Sequence, residues 1–148
     1  KYIIEFDTSK NPGNSNDRMR LNGFQIIDIG SQNIRSDIKK KIKKKRCFLL
    51  GTSKPEVDHK NGRKDDLRVM KTTTQSVDDF QPLSKSANDA KRQFCKECKE
   101  TGKRYDARKL GYSIAFVEGT EIYDKSIGCK GCYWFDIFEF RKKLFLKK

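Results

Sequence analysis

Two Cys-x-x-Cys pairs constrain this chain more than any other sequence feature. Cys95 and Cys98 form the first pair, and Cys129 and Cys132 form the second. Four thiolates in a tetrahedron are a common ligand set for structural zinc, and they leave no coordination position open for water. Only 34% of the residues are hydrophobic, which is low for a self-contained globule. The pattern therefore predicts a structural Zn²⁺ that takes two ligands from a tight turn at each pair, ties the two pairs together and supplements a small core. The alternative is four buried thiols without a metal.

The remaining cysteine and the start of the chain allow further expectations. Cys47 lies between Arg46 and Phe48, which favours a buried core thiol. Paired cysteines in a lysine-rich chain without a visible secretory signal favour metal binding in a reducing compartment over a disulfide framework. We therefore expect a cytoplasmic protein. The chain begins with Lys1 rather than Met, so an N-terminal segment is expected to be missing before it.

The charge of the chain points to a polyanionic partner. There are 34 Lys and Arg residues against 20 Asp and Glu residues, which gives a formal net charge of +14. Phosphates neutralised by such side chains release counterions, and this release drives sequence-independent binding to nucleic acid. The alternative is a solvated basic surface. A membrane partner is not expected, because no apolar run approaches the roughly 20 residues of a spanning helix.

The apolar pattern predicts a small α+β protein, a single domain over residues 1–148. Turn-forming residues predict a loop over residues 7–17. Helices are predicted at residues 36–46, with Ser36 as cap and Asp37 in the first turn, and at 84–95 and 135–146. Strands are predicted at residues 1–6, 18–29, 47–50, 55–59, 66–70, 80–83 and 111–118.

One group of residues in the sequence has the side chains that a catalytic site needs. His59 is the single histidine, and it follows Asp58 at the end of a predicted strand; the segment DFQPLSKSANDAK begins at Asp79 and contains Asn88. This order resembles the HNH nucleases, in which a strand ending in Asp-His or His-His precedes a segment like N-L-Q-P-L-C-x-x-C-N-x-x-K. Asp58 and His59 match the leading pair, Asp79 the middle position, which braces a loop, and Asn88 the final ligand.

The resemblance implies a ββα-metal (HNH) core over about residues 55–95, within a small mixed sheet, followed by a zinc-tied part over residues 95–148 that ends in a helix. Ser84 and Ala87 replace the cysteines of the family's own zinc knuckle, so the later Cys-x-x-Cys pairs stand in its place. A second alignment puts residues 65–68 at the middle position and Gln75 at the final one. Gln75 is the poorer metal ligand, so Asn88 is preferred.

A longer resemblance spans nearly the whole chain. Six segments of the chain are together similar to the small type II restriction enzymes that cut CATG. They are RLNGF, a lysine run ending in Arg-Cys, VDHKNGRK, DFQPLSKSANDAKRQ, CKETGKR and CKGC. The likeness implies double-strand cleavage of DNA at a short palindrome, and hence a two-fold homodimer.

The chemistry of phosphodiester hydrolysis agrees with these residues. Neutral His59 can take a proton from water. Asp58 and Asn88 offer hard oxygen ligands for Mg²⁺ or Mn²⁺, which can bind the phosphate and stabilise the leaving oxygen. Neighbouring residues of a regular strand face opposite ways, so the strand must end at this pair. The turn dipeptide Asn61-Gly62 supplies the break.

Side chains that read bases are usually Arg, Lys, Asn or Gln. The candidate DNA contacts are Arg18, Arg20, Arg63, Lys64, Arg68 and Arg92. Two rival functions remain open. A homing-type or nonspecific HNH nuclease would nick DNA with the same site. A zinc-stabilised nucleic-acid-binding module would have the charge and the cysteines without catalysis, but it would not need Asp58, His59 and Asn88 together.

Overall fold

The computed structural model describes residues 2–7, 18–24 and 33–145. The chain divides into two compact units, Lys1–Gly30 and Ser31–Lys148. In the first unit, β1 (Tyr2–Asp7) pairs antiparallel with β2 (Arg18–Phe24), with an irregularity in register between Tyr2 and Ile4. The loop predicted between these strands, and the part of the second strand predicted beyond Phe24, lie outside the described residues. The prediction of a single domain stays a prediction.

The second unit is built mainly from helices around one short strand pair. Strands β3 (Glu56–His59) and β4 (Phe80–Leu83) are antiparallel neighbours. The helices are α1 (Ser36–Lys43), α2 (Leu67–Met70), α3 (Lys85–Thr101) and α4 (Ile137–Phe145), with short 3₁₀ turns at Thr72–Thr74, Val77–Asp79 and Ala107–Leu110. Within the described ranges, no helix is both long and apolar enough to cross a membrane. The combination of these helices with the strand pairs confirms the predicted α+β class.

Strand β4 lies where two hydrophobic clusters meet. Phe80, at its start, packs with Ile38 and Ile42 of α1 in one cluster. Leu83, at its end, packs in the other cluster, whose further buried members are Cys47, Ala87, Ala107, Tyr133, Trp134, Ile137 and Phe140. All of β4 is buried. The prediction that Cys47 is a buried core thiol is confirmed, since its exposed fraction is 3%.

Several local predictions were wrong. The expected small mixed sheet is absent from the described residues, whose strands form two separate antiparallel pairs. Residues 47–50 form a turn closed by a bond from Gly51 N to Cys47 O, with Gly51 at φ 67°. Residues 67–70 are helical because the Asp66 side chain accepts from Arg68 N. Residues 111–118 form no strand; their backbone makes scattered bonds such as Val117 N to Gly131 O.

Two helix ends also differ from expectation. Ser36 is the first residue of α1 rather than its cap, and Arg35 precedes it without a capping side-chain bond; Asp37 does lie in the first turn. Helix α3 begins as predicted after Ser84, whose Oγ accepts from Ala87 N. It continues past Cys95 to Thr101 and ends at Gly102, which takes the left-handed conformation with φ 71°. Cys95 and Cys98 are therefore helical residues, not members of a tight turn.

Candidate active site

Asp58, His59 and Asn88 line one cavity of about 190 Å³ between β3 and α3. In the strand pair, Asp58 lies opposite Gln81 and His59 lies opposite Phe80. Strand β3 ends at His59, as the sequence predicted, and a bond from Lys64 N to Asn61 O closes the turn that follows. The end of the strand lets both members of the Asp-His pair border the same space. The structure thus brings together three residues from two segments.

A buried lysine holds the Asp58 carboxylate. Lys91 Nζ lies 2.5 Å from Asp58 Oδ2, and it also donates to the backbone carbonyls of His59 at 2.5 Å and Lys60 at 3.1 Å. The Lys91 side chain is 2% exposed and that of Asp58 is 11% exposed. One ammonium group therefore fixes the carboxylate, the carbonyl of the last strand residue and the carbonyl of the residue that follows it. Lys91 belongs to the N-x-x-K motif, but sequence reasoning gave it no role.

Gln81 is a second residue that sequence reasoning missed. Its side chain is fully buried, and Nε2 donates to Asp58 Oδ2 at 3.1 Å. The same Nε2 lies 3.1 Å from the carbonyl of Trp134 and 3.2 Å from that of Phe135, while Oε1 accepts from Ile137 N. Gln81 thereby connects the Asp58 carboxylate to the segment that leads into α4. Its position opposite Asp58 depends on the register of the strand pair, which no local signal in the sequence specifies.

The His59 imidazole sits against an apolar ring and lacks a partner at one nitrogen. Its centroid lies 4.8 Å from that of Phe80. Nε2 is buried and has no hydrogen-bond partner among the described residues. Burial lowers the pKa of His59, and the positive charges of Lys64 and Lys91 lower it further, although Asp58 opposes them. The neutral imidazole, which can accept a proton, is therefore favoured at neutral pH.

Asn88 presents an unpaired acceptor to the cavity. Its side chain is 4% exposed, and Nδ2 donates to Glu56 Oε2 at 2.7 Å. That bond identifies the other amide atom, Oδ1, as the acceptor; Oδ1 is buried and no described residue donates to it. Buried polar atoms are nearly always satisfied, so such an atom calls for a water or an ion. Asp58, Asn88 Oδ1 and His59 Nε2 together form an oxygen-rich donor set that suits a hard divalent cation and a water.

Asp79 lies outside the cavity, at the end of the loop that joins β3 to β4. Arg68 donates to both of its carboxylate oxygens, at 3.0 and 2.5 Å, and Ser76 N donates to Oδ2 at 2.6 Å. Burial opposes ionisation, but Arg68 and Ser76 N outweigh it and hold the pKa of Asp79 below its ordinary value. Asp79 O accepts from Lys60 N at 2.8 Å. These contacts tie Asp79 to the loop between β3 and β4, and its loop-bracing role stays a prediction.

The alternative alignment places its final ligand on a residue with other partners. The Gln75 amide is 5% exposed, and Nε2 donates to the carbonyls of Asn33 and Val69. Its Oε1 accepts from Arg35 N at 3.0 Å. Because both ends of the amide are engaged and Gln75 does not line the cavity, the geometry favours Asn88.

The cysteines form no preformed metal site. All five are free thiols, and among the described residues, which include them all, no group of three or more His, Cys, Asp or Glu side chains is placed to hold a metal. Burial raises the pKa of Cys95 to about 12, with smaller contributions from Cys132 and Cys129. The thiols as placed do not fit a zinc ion, so the ligand set predicted from the two pairs is not supported.

Three of these cysteines contact the turn that follows His59. Cys129 Sγ lies 3.4 Å from Asn61 Oδ1, and Arg63 Nη1 lies 3.3 Å from Cys98 Sγ. Cys95 Sγ packs so closely on Gly62 that a Cβ there would collide with it. The cysteine pairs therefore support the turn beside the cavity.

The candidate DNA contacts fall into three groups. Lys64 and Arg92 line the cavity. Arg63 stacks at 3.7 Å on the Tyr123 ring, and Arg68 binds Asp79, so both have internal partners. The last two candidates, Arg18 and Arg20, belong to β2 in the first unit.

The chain is similar to a known nuclease along most of its length. A type II restriction enzyme, NlaIII of Neisseria lactamica, is 49% identical over 148 residues; the match covers 95% of this chain and 64% of that enzyme. The chain thus spans about 64% of the length of this relative. No solved structure matches. The model of the family described as ICEA Protein matches residues 1–148. The chain belongs to the ICEA protein family.

Proposed function

We propose that this chain acts as a type II restriction endonuclease that cuts double-stranded DNA with a divalent metal ion. The observation that carries the proposal is the shared cavity of Asp58, His59 and Asn88, with unpaired acceptors at His59 Nε2 and Asn88 Oδ1. A relative that covers 95% of the chain is named a type II restriction enzyme, which supports the same class. The ββα order of β3, β4 and α3 agrees with an HNH core.

Each cavity residue has a separate role in the proposed reaction. His59 accepts the proton of the attacking water at Nε2, since its imidazole is neutral at working pH. Asp58 and Asn88 Oδ1 would hold Mg²⁺ or Mn²⁺. The ion, when bound, neutralises charge on the scissile phosphate and on the leaving oxygen. Lys64 and Arg92 line the same cavity and supply positive charge for the phosphates beside the cut.

Lys91 and Gln81 are positioning residues in this scheme. Both bind Asp58 Oδ2, so Oδ1 is the oxygen left for the metal. Lys91 also fixes the carbonyl of His59, which restricts the backbone that carries the imidazole. Precise placement of reacting groups contributes several kcal/mol to catalysis in general. Neither residue needs to touch the DNA.

Cleavage at a short palindrome, with CATG as the candidate sequence, belongs to the same proposal, as does a two-fold homodimer.

A structural Zn²⁺ held by Cys95, Cys98, Cys129 and Cys132 would require these side chains to move from their present positions. Its support is the spacing of the two Cys-x-x-Cys pairs in the sequence. No catalytic step depends on zinc.

Plasmid cleavage tests the proposal. The full-length protein with Mg²⁺ should give double-strand cuts whose sequenced ends share one short palindrome. His59→Ala should reduce the rate by roughly 10²–10⁴-fold, because no other histidine exists in the chain to replace it. DNA binding should survive, since affinity rests mainly on phosphate contacts.

The controls separate the rival functions. Lys85→Gln, on the exposed face of α3, should cleave as the wild type does. Nicks at scattered positions would favour a homing-type or nonspecific nuclease. If the wild type binds DNA but neither cuts nor nicks it with Mg²⁺ or Mn²⁺, the chain is a binding module and the assignment of His59 as a base is wrong.

A further inference from the structure

Helix α1 and the residues after it form an exposed cationic surface. Seven of the eight residues from Lys39 to Arg46 are Lys or Arg, and all seven are exposed. The exception is Ile42, which is 1% exposed, as is Ile38 one turn earlier. We call the seven side chains the α1 cationic surface: Lys39, Lys40, Lys41, Lys43, Lys44, Lys45 and Arg46.

The packing of α1 places this helix beside the candidate active site. Ile38 and Ile42 contact the cluster that contains Phe80 of β4. The Phe80 ring in turn lies 4.8 Å from the His59 ring. Ile34, which precedes the helix, lines the cavity itself. A bond from Arg35 N to the buried Gln75 amide anchors the start of the helix. The helix that carries this surface is therefore packed, through its isoleucines, against the strand pair that carries Asp58 and His59.

The charges of this surface lack compensation within the described part of the chain. The single acidic residue in the helix is Asp37, and Arg35 binds both of its carboxylate oxygens, at 3.0 and 2.6 Å. No ion pair joins any of the seven cations to a carboxylate of the described residues. Each pair of like charges spaced four residues apart in a helix, such as Lys39 and Lys43, destabilises the helix by about 0.2–0.5 kcal/mol. An anionic partner would remove this cost.

We infer that the α1 cationic surface binds the phosphate backbone of DNA and holds the duplex against the cavity. This inference rests on the proposed function, whose substrate is DNA. An inserting membrane helix needs a free apolar face, and both isoleucines of α1 are already buried in the protein. Phosphate contacts carry no base information, so the surface contributes affinity and register, and other side chains read the sequence.

The salt dependence of DNA binding tests the inference. In the triple variant Lys40→Gln, Lys41→Gln and Lys44→Gln, the slope of log affinity against log salt should become shallower by about 0.9 for each phosphate that the variant no longer neutralises. The duplex has random sequence and no divalent metal is added, so cleavage is not required. The control triple, Lys85→Gln, Lys96→Gln and Lys103→Gln, removes the same charge from exposed lysines paired with Asp89, Glu100 and Glu121. Its slope should match the wild type.

The charge-preserving triple Lys40→Arg, Lys41→Arg and Lys44→Arg should keep the wild-type slope, which separates loss of charge from loss of folding. Equal slopes for the two glutamine triples would overturn the inference. So would a glutamine triple at α1 that loses binding to phosphatidylserine vesicles but keeps the DNA slope. A wild type that does not cut DNA, yet shows the α1-dependent slope, would refute the proposed function and leave only the phosphate binding of the α1 cationic surface standing.

Discussion

Replacing Lys91 by methionine removes the cation from the Asp58 carboxylate while nearly preserving side-chain volume. The two side chains are only 2% and 11% exposed. Removing one partner of a buried pair generally costs about 3–5 kcal/mol, because the other charge stays buried without compensation. Gln81 still donates to Asp58 Oδ2, so the lower end, about 3 kcal/mol, is expected. For a domain of this size each kcal/mol lowers Tm by about 2–4 °C, so Tm should fall by roughly 6–12 °C.

Mg²⁺ should stabilise Lys91→Met more than the wild type. A metal ion bound at Asp58 supplies the positive charge that the variant lacks, and a ligand stabilises the folded state in proportion to its affinity. Differential scanning fluorimetry with and without Mg²⁺ measures both effects. The control is Lys85→Met on the same helix, an exposed lysine 3.4 Å from Asp89. Surface changes of this kind are usually within about 0.5 kcal/mol, so its Tm should move by no more than about 2 °C.

Two results would refute the reasoning. If Lys91→Met melts within about 2 °C of Lys85→Met, the buried ion pair does not hold the end of β3. If its Tm is lowered but Mg²⁺ raises it no more than in the wild type, the metal does not bind at Asp58. The double variant Lys91→Met with Asp58→Asn should recover part of the lost stability, since it leaves no buried charge unpaired.

Three further predictions follow from the site and the cysteines. Asn88→Ala should raise the Mg²⁺ concentration needed for half-maximal cleavage, and an unchanged requirement would exclude Asn88 as a ligand. The pKa of His59 is lowered in the folded protein, so the cleavage rate should rise with pH at a midpoint below the ordinary value of about 6.5. As the pH falls, His59 takes up its proton at a higher pH in the unfolded chain than in the folded one. The free energy of unfolding of the metal-free protein should therefore decrease as the pH drops through about 6.5. If the thiols bind zinc, metal analysis should find about one ion per chain, and Cys129→Ser should lose it and lower Tm; a metal-free wild type would disprove the zinc proposal.

The elements that carry the candidate site could be predicted because their signals are local. The apolar residues of β4 predict a strand. The Ser84 cap and the helical spacing of Ala87 and Ala90 predict α3. The break after His59 follows from Asn61-Gly62. The extension of α3 to Thr101 was missed because a Cys-x-x-Cys pair was taken to require a tight turn, whereas its residues continue the helix as far as Gly102.

Other features could not be predicted, because they depend on contacts between distant residues. Residues 111–118 have the apolar character of a strand, but no described segment pairs with them, and strand formation depends strongly on such context. The roles of Lys91 and Gln81 arise from contacts across 33 and 23 residues with Asp58. Nothing local in a lysine or a glutamine distinguishes these from the solvated ones elsewhere in the chain.

Gln81 makes the C-terminal part of the chain a component of the site rather than an appendage. Its amide donates to Asp58 and to the carbonyls of Trp134 and Phe135, so a shift of that segment would withdraw the donor from Asp58. The 2.5 Å ion pair between Lys60 and Asp136 joins the same two regions through largely buried side chains. The strand pair and α3 therefore hold Asp58 in place only together with the segment that enters α4. A fragment that ends with α3 would retain the motif residues but lose part of what positions them.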